Sequence, residues 1–200
     1  MIISKNYSSI YCLIIYIFCI KFTNKVIFSW NISMHSTVKN LLDIKNNIKV
    51  NLDELNVKNY PKIIAVSKTF KIDRISPLID YGHIDFGENK VQEAVEKWTE
   101  VKKLNPKIQL HMIGKLQTNK VKFAVKLFDY IHSVDSEKLA KKIADEQNKI
   151  NKKIKIFLQV NIGDEKQKSG INKNELQGLV TYCKEINLDL IGLMCIPPAN

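Results

Sequence analysis

The chain has 200 residues, 45% of them hydrophobic and 26% charged, which is typical of a globular protein and excludes a disordered, collagen-like or coiled-coil chain. The formal net charge is +11, yet Arg74 is the only arginine among the 31 basic residues. Because proteins that read nucleic acids rely on the arginine fork to bind phosphates and base edges, this lysine surplus does not predict a nucleic-acid partner.

The first 33 residues differ from the rest of the chain. Their apolar run, residues 10–20, is closed by Lys21 and is too short for a membrane span, which needs about 20 residues. No alanine precedes Ala65, so the small residues of a signal-peptide cleavage site are poorly represented. We expect residues 1–33 to be an extension outside the fold, with Met34 as an alternative start. A weak signal sequence or membrane-surface anchor is the other interpretation.

The four cysteines carry no metal or redox motif. None of them lies in a Cys-x-x-Cys pair, which argues against a zinc ribbon and a thioredoxin-type site. Cys183 and Cys195 fall in apolar segments and are expected as reduced core residues. This usage predicts a reducing, cytoplasmic location without stable membrane insertion.

From Met34 onward, predicted helices and strands alternate. Residues 34–57 have apolar positions at helical spacing, and Tyr60-Pro61 ends that pattern. Six β-rich runs then alternate with helical stretches, which predicts βαβ units and a parallel sheet. The predicted strands are 63–67, 83–86, 109–113, 130–134, 154–160 and 188–196. The predicted helices are 73–81, 89–104, 118–128, 136–151 and 173–186, with Ser136 as the N-cap of the fourth.

Either an open doubly wound sheet or a (β/α) barrel has this alternation. No glycine-rich nucleotide-binding loop follows the first predicted strand. In both architectures, ligands bind at the carboxyl ends of the strands. Polar or ionisable residues follow five of the six predicted strands, and a barrel would bring them together. They lie in the segments 67–69, 87–89, 114–120, 132–135 and 159–161.

Lys68 is the candidate nucleophile. It follows a fully apolar strand, where partial burial would favour the neutral amine and lower its pKa. A neutral lysine can form a Schiff base with a carbonyl group. A lysine at a strand end is also a common solvated surface residue, so the pattern alone leaves both interpretations open.

Three further positions are less specific. Asn89 and Asn161 follow the second and fifth strands, where asparagine either binds a ligand or caps the next helix. His111 lies inside the third strand, where a histidine either packs in the core or acts as an acid–base group. No second histidine or carboxylate stands at ligand spacing near His111, so no metal site is predicted.

Taken together, these segments resemble the motifs of the pyridoxal phosphate homeostasis proteins, which are single-domain relatives of the alanine racemase barrel. The resemblance runs from about residue 34 to residue 200, and its motifs occur in the same order and at similar spacing. The matching segments are 64–69 (IAVSKT), 86–89 (FGEN), 91–93 (VQE), 111–114 (HMIG), 116–117 (LQ), 119–120 (NK), 133–135 (SVD), 159–161 (QVN), 168–170 (KSG) and 192–194 (GLM).

The resemblance implies an α/β fold, a TIM-type (β/α) barrel formed by residues 34–200. It implies intracellular homeostasis and carriage of pyridoxal phosphate rather than catalysis, since the racemase relatives need an added β domain for which this chain has no room. No catalytic residue is therefore predicted. The implied cofactor-binding residues are Lys68, which would hold the cofactor as a Schiff base, and Asn89, His111, Asn161 and Met194.

The family continues beyond the strand at 188–196 for two more βα units, which supply most of its phosphate contacts. With about six strands, the barrel is expected to be incomplete and to present unpaired edges. We expect a monomer that can self-associate through those edges. A non-binding remnant of the same family and a Schiff-base enzyme acting directly on a carbonyl substrate are the alternatives.

Overall fold

The computed structural model describes residues 34–163 and 169–197. The predicted extension at 1–33 and Lys168 of the KSG motif lie outside the described residues. The helices are α1 (Ser36–Glu54), α2 (Ile72–Asp80), α3 (Val91–Leu104), α4 (Val121–Leu127), α5 (Glu137–Lys149) and α6 (Leu176–Glu185). The strands are β1 (Ala65–Val66), β2 (Asp85–Glu88), β3 (Gln109–Met112), β4 (Tyr130–Val134), β5 (Lys155–Gln159) and β6 (Asp189–Met194).

The strands of the described residues form one parallel sheet in the order β1-β2-β3-β4-β5-β6. Each strand pairs with its neighbour in the chain through a helical crossover, as the predicted βαβ units require. Within the described residues, β1 and β6 are the two edges of the sheet and do not pair with each other. The predicted incomplete barrel of six parallel strands is therefore confirmed.

The two faces of the sheet carry different side chains. The outer face packs against the helices, and its strand residues, among them Phe86, Leu110 and Ile131, belong to one large apolar cluster with Trp98. On the inner face, Tyr130, Phe157 and Met194 form a second, smaller cluster. Because side chains alternate along a strand, this division decides which residues can reach the interior of the barrel.

Among the strands, the predicted and observed boundaries differ most at β2. The sequence predicts a strand at 83–86, whereas the observed strand is Asp85–Glu88. Gly82 has a φ of +93° and turns the chain after α2, which delays the strand. The strand then continues through Gly87 and Glu88 because the buried carboxylate of Glu88 has hydrogen-bond partners.

Several local predictions can be compared with the structure. Ser136 caps α5 as predicted, with its side chain accepting from the backbone N–H of Leu139. Cys183 is buried in α6, and burial raises the pKa of its thiol to about 11. The prediction that Cys195 is a core residue is wrong, because it follows the edge strand β6 and is exposed. Among the described helices, none is long and apolar enough to cross a membrane.

Candidate functional site

The carboxyl ends of the six strands lie at one edge of the sheet, because all strands are parallel and each pairs with the next. Three of the predicted cofactor-binding residues follow strands: Lys68 comes after β1, Asn89 after β2 and Asn161 after β5. Met194 is the last residue of β6, and His111 lies within β3. The topology therefore brings four of the five to the edge where ligands bind in such sheets.

Lys68 lies two residues beyond β1 and is half-buried. The backbone N–H of Ser67 still donates to the carbonyl of Gly87 at 2.9 Å, so the strand geometry extends to that point. Lys68 is the first residue of the turn that follows, at the carboxyl end of β1.

The turn that follows Lys68 is strained. Thr69 has a φ of +66°, which is a genuine outlier for a β-branched residue and costs about 1–3 kcal/mol. The backbone N–H of Phe70 closes the turn by donating to the carbonyl of Ser67 at 3.2 Å. Strain of this kind persists only where the surroundings enforce it, and it commonly clusters at functional sites.

A buried polar network holds this turn from the outer face. Glu88 is fully buried, and its Oε1 accepts from Ser67 Oγ at 2.7 Å and from Trp98 Nε1 at 2.9 Å. Lys97 Nζ donates to the same oxygen at 2.9 Å and to the Ser67 carbonyl at 2.8 Å. The network therefore fastens the carboxyl ends of β1 and β2 to α3, directly beside Lys68.

This network corrects one sequence-based expectation. Ser67 and Glu88 were expected among the polar residues that converge inside the barrel, but both point to the helix layer, because they alternate with inward positions. Lys97 and Trp98, which lie on α3 nine and ten residues after Glu88, are not predicted from the sequence. No motif marks them. Trp98 could have been suspected only as a buried indole that needs an acceptor.

Asn89 presents an acceptor to the same edge of the sheet. Its Oδ1 is buried and has no hydrogen-bond partner among the described residues. The alternative that Asn89 caps the following helix is wrong, since the residue at the cap position of α3 is Lys90. A buried amide oxygen without a partner is costly, and a bound ligand or water would satisfy it.

Gly114 lets the backbone of Asn89 approach closely. A Cβ atom at Gly114 would lie 2.3 Å from the backbone oxygen of Asn89 and 2.7 Å from its Cα, so only glycine permits this approach. Gly114 and Lys115 also line a cavity of about 200 Å³ with Gln159 and Asn161. Asn161 therefore lines a small cavity at the ends of β3 and β5, whereas Asn89 contacts Gly114 and is not among the described residues that line this cavity.

Asn161 is held by local hydrogen bonds. Its backbone N–H donates to the Ile171 carbonyl at 2.9 Å, and its side-chain Oδ1 accepts from the backbone N–H of Gly163 at 3.2 Å. Among the described residues, Lys68 and Met194 are not part of the wall of the 200 Å³ cavity. Met194 is instead buried in the inner cluster beside Tyr130 and Phe157.

His111 lies deeper, in a buried chain of hydrogen bonds. Its Nε2 donates to Asp85 Oδ1 at 3.1 Å, and its Nδ1 lies 2.9 Å from His132 Nε2. Its ring stacks on Tyr130 with centroids 4.2 Å apart. Burial lowers the pKa of His111, so the neutral ring accepts at Nδ1 from His132. Both ring nitrogens of His111 therefore have protein partners.

The series of hydrogen bonds from Asp85 through His111 ends at His132, whose second ring nitrogen has no partner among the described residues. Burial lowers the pKa of His132 to about 3, with the neighbouring His111 adding to the effect. Its Nδ1 is buried and has no hydrogen-bond partner in the part of the chain that the structure describes. His132 is therefore a neutral imidazole, stacked on Phe157 at 4.3 Å between centroids.

The family model of the alanine racemase N-terminal domain matches residues 40–199. Curated relatives named pyridoxal phosphate homeostasis protein include those of Pasteurella multocida (35% identical over 161 residues, 80% of this chain and 69% of the relative) and Aquifex aeolicus (37% over 142 residues, 70% and 61%). The protein of Escherichia coli K12 is 38% identical over 137 residues, 68% of this chain and 58% of the relative. The chain therefore spans between 58% and 69% of the length of these relatives.

Solved structures of similar proteins also point to this family and its fold. PipY of Synechococcus elongatus PCC7942, in a structure with PLP bound, is 34% identical with a TM-score of 0.65, covering 76% of this chain and 72% of PipY. A protein from Bifidobacterium adolescentis, described as unknown, is 26% identical with a TM-score of 0.76 over 86% of this chain and 73% of that one. Alanine racemase of Clostridium difficile, 16% identical with a TM-score of 0.56 over 77% of this chain and 41% of the racemase, shares the fold. The predicted relation to the alanine racemase barrel is confirmed.

Proposed function

Since the chain belongs to the pyridoxal phosphate homeostasis protein family, whose barrel is that of the alanine racemase N-terminal domain, we propose that it binds pyridoxal phosphate as a Schiff base on Lys68. We propose that it serves the intracellular homeostasis and carriage of this cofactor, and does so in the cytoplasm. The observation that supports the proposal is the strained turn at Thr69 together with the Ser67–Glu88 hydrogen bond, which flank Lys68 at the carboxyl end of β1.

The cofactor's aldehyde would supply the electrophile for the Lys68 amine. The network of Ser67, Glu88 and Lys97 holds the carboxyl ends of β1 and β2, so the backbone beside Lys68 loses little further freedom on binding. Preorganisation of this kind raises affinity by reducing the ordering cost.

Other residues fit a ring with polar substituents. Asn89 offers a buried acceptor without a partner among the described residues, and Asn161 lines the neighbouring cavity. Met194 gives an apolar surface on the inner face. His111 would line the site without a hydrogen bond from its ring nitrogens to the cofactor, because those nitrogens already bind Asp85 and His132. We propose these four as the further cofactor-binding residues.

The proposal is for binding rather than catalysis, and the relatives are themselves named homeostasis proteins. The small-molecule cofactor is the proposed partner, and neither nucleic acid nor membrane insertion is part of the proposal. We propose a monomer that can associate through its open strands, because β1 and β6 are edges in the described part of the sheet.

Uptake of the cofactor tests this function. The chain is incubated with pyridoxal phosphate, dialysed, and the bound yellow chromophore is measured per mole of protein. Stoichiometric uptake is expected for the unaltered chain and for Lys71→Ala, which removes an exposed lysine three residues away. Lys68→Ala should take up almost none. Equal uptake by Lys68→Ala would overturn the assignment.

The second candidate function is a non-binding member of the same family. The observation that favours it is the pair of sheet edges at β1 and β6 in the described residues, since Lys68 follows one of those edges. The uptake experiment separates the two candidates when it is combined with denaturant unfolding. A chain that unfolds cooperatively but takes up no cofactor would support the second.

A further inference from the structure

A second cavity lies at the other end of the sheet from Lys68. Its volume is about 640 Å³, and it lies between α1 and the segments that lead into β1 and β2. None of the five predicted cofactor-binding residues is among the described residues that line it. A cavity of this size is within the range of small-molecule sites.

The charge of this cavity is positive. Lys45, Lys49 and Lys62 line it, against one carboxylate, Asp85. Lys62 Nζ lies 3.7 Å from Asp85 Oδ1, and the same oxygen accepts from His111. No carboxylate of the described residues pairs with Lys45 or Lys49. Two ammonium groups therefore remain for an anion.

The histidine of the cavity does not add to this charge. His83 Nε2 donates to the backbone carbonyl of Asp85 at 2.8 Å. Burial lowers the pKa of His83, and the nearby Lys45 acts in the same direction against the weaker opposing effect of Asp85. The ring is therefore neutral, and the lysines alone supply the positive charge.

The remaining walls are apolar and aromatic. The side chains of Ile48 and Ile63 line the cavity together with the rings of Tyr60 and Tyr81. Tyr60 is 51% and Tyr81 46% exposed, so both rings offer surface that a flat ligand would cover. Lys45 Nζ lies 5.7 Å from the centroid of the Tyr81 ring, which places a cation beside an aromatic wall.

We propose that this cavity is a second ligand site, which binds a small organic anion whose phosphate group is carried on a planar ring. The two unpaired lysines would hold the phosphate, and the tyrosine rings and isoleucines would cover the ring. This site does not depend on Lys68, so it can exist whether or not the proposed Schiff base forms.

The test uses phenyl phosphate, a phosphorylated ring that lacks an aldehyde and so cannot form an imine with Lys68. Its binding to the full chain is measured by isothermal titration calorimetry. The double variant Lys45→Ala/Lys49→Ala should bind at least about tenfold more weakly, because the loss of even one charge-assisted contact corresponds to roughly that factor. Lys68→Ala should bind as the unaltered chain does.

The matched control is Lys122→Ala/Lys126→Ala, which removes two exposed lysines at the same spacing from α4. Equal weakening in both double variants would overturn the proposal, as it would show attraction to overall charge alone. Loss of binding in Lys68→Ala would also overturn it. The variant Tyr81→Leu should weaken phenyl phosphate but not inorganic phosphate. Inorganic phosphate binding as tightly as phenyl phosphate would contradict the role of the rings.

Discussion

Ser67 Oγ donates a hydrogen bond to Glu88 Oε1 at 2.7 Å, across the parallel pair formed by β1 and β2. The bond joins the residue before the candidate lysine to a carboxylate that α3 also holds, through Lys97 and Trp98. The backbone next to Lys68 is thus tied to a buried ion pair in the helix layer.

Removing this carboxylate should destabilise the protein strongly. Glu88→Ala leaves the Lys97 ammonium, whose side chain is 12% exposed, without its partner. Breaking a buried pair in this way costs about 3–5 kcal/mol. The free energy of unfolding, measured with denaturant, gives the loss. Glu93→Ala is the control, because its pair with Lys90 is exposed and should change stability by less than about 1 kcal/mol. Similar losses in the two variants would contradict the network's role.

Gly114→Ala should destabilise the fold and displace Asn89. The added methyl group would approach the backbone of Asn89 at 2.3 Å, and backbone cannot move aside as a flexible side chain can. We expect a loss of about 1–3 kcal/mol together with weaker cofactor uptake. Gly178→Ala is the matched control, since nothing lies within 4 Å of its added methyl group. At the third residue of α6 it should raise stability by up to about 1 kcal/mol. A neutral Gly114→Ala would show that the close approach is not needed.

Stability should fall in acid because of the buried imidazoles. The pKa of His132 is lowered to about 3 in the folded protein and is about 6.5 in the unfolded chain. The unfolded chain therefore binds more protons between these values, so stability is complete above pH 6.5 and declines as the pH falls towards 3. By pH 5 the loss from His132 is about 2 kcal/mol.

The variant His132→Gln isolates this contribution. Unfolding free energies at pH 7 and pH 5 should differ less in His132→Gln than in the unaltered chain. The groups that face His132 include His111, whose pKa burial also lowers, so part of the acid sensitivity should remain. An unchanged pH dependence in His132→Gln would rule out a neutral buried His132.

Thr69→Gly should stabilise the turn after Lys68. Glycine adopts a φ of +66° without the steric cost that threonine bears, and the gain should be about 0.5–1 kcal/mol after the entropy of the unfolded chain is included. Thr99→Gly, inside α3, should instead lower stability by a few tenths of a kcal/mol. Thermal unfolding of the two variants measures the direction of each change in stability. A stability loss in Thr69→Gly would mean that the threonine side chain makes compensating contacts.

The alternation of helices and strands could be predicted because it depends on local apolar spacing. α5 begins directly after Ser136, its predicted cap, and β4 has the predicted bounds. Local spacing could not predict which face of the sheet the side chains at the strand ends occupy. Glu88 appears in the sequence as a loop residue, yet it ends β2, where Lys97 and Trp98 donate to its Oε1 from a helix that folds back over the sheet.

The candidate site was only partly predictable for the same reason. Lys68 is marked by the apolar strand before it, and Asn89 by its position after the next strand. The motif that contains Gly114 was recognised, but its close approach to the Asn89 backbone is a three-dimensional relation. The chain from Asp85 through His111 to His132 joins residues more than twenty positions apart, and no spacing rule connects them.

Chemical trapping most directly tests whether the amine of Lys68 forms a Schiff base with pyridoxal phosphate. The chain is mixed with pyridoxal phosphate, reduced with borohydride and digested, and the modified peptide is identified by mass spectrometry. One reduced adduct is expected, on the peptide that contains Lys68. An adduct spread over exposed lysines, or located elsewhere while Lys68 stays unmodified, would contradict it.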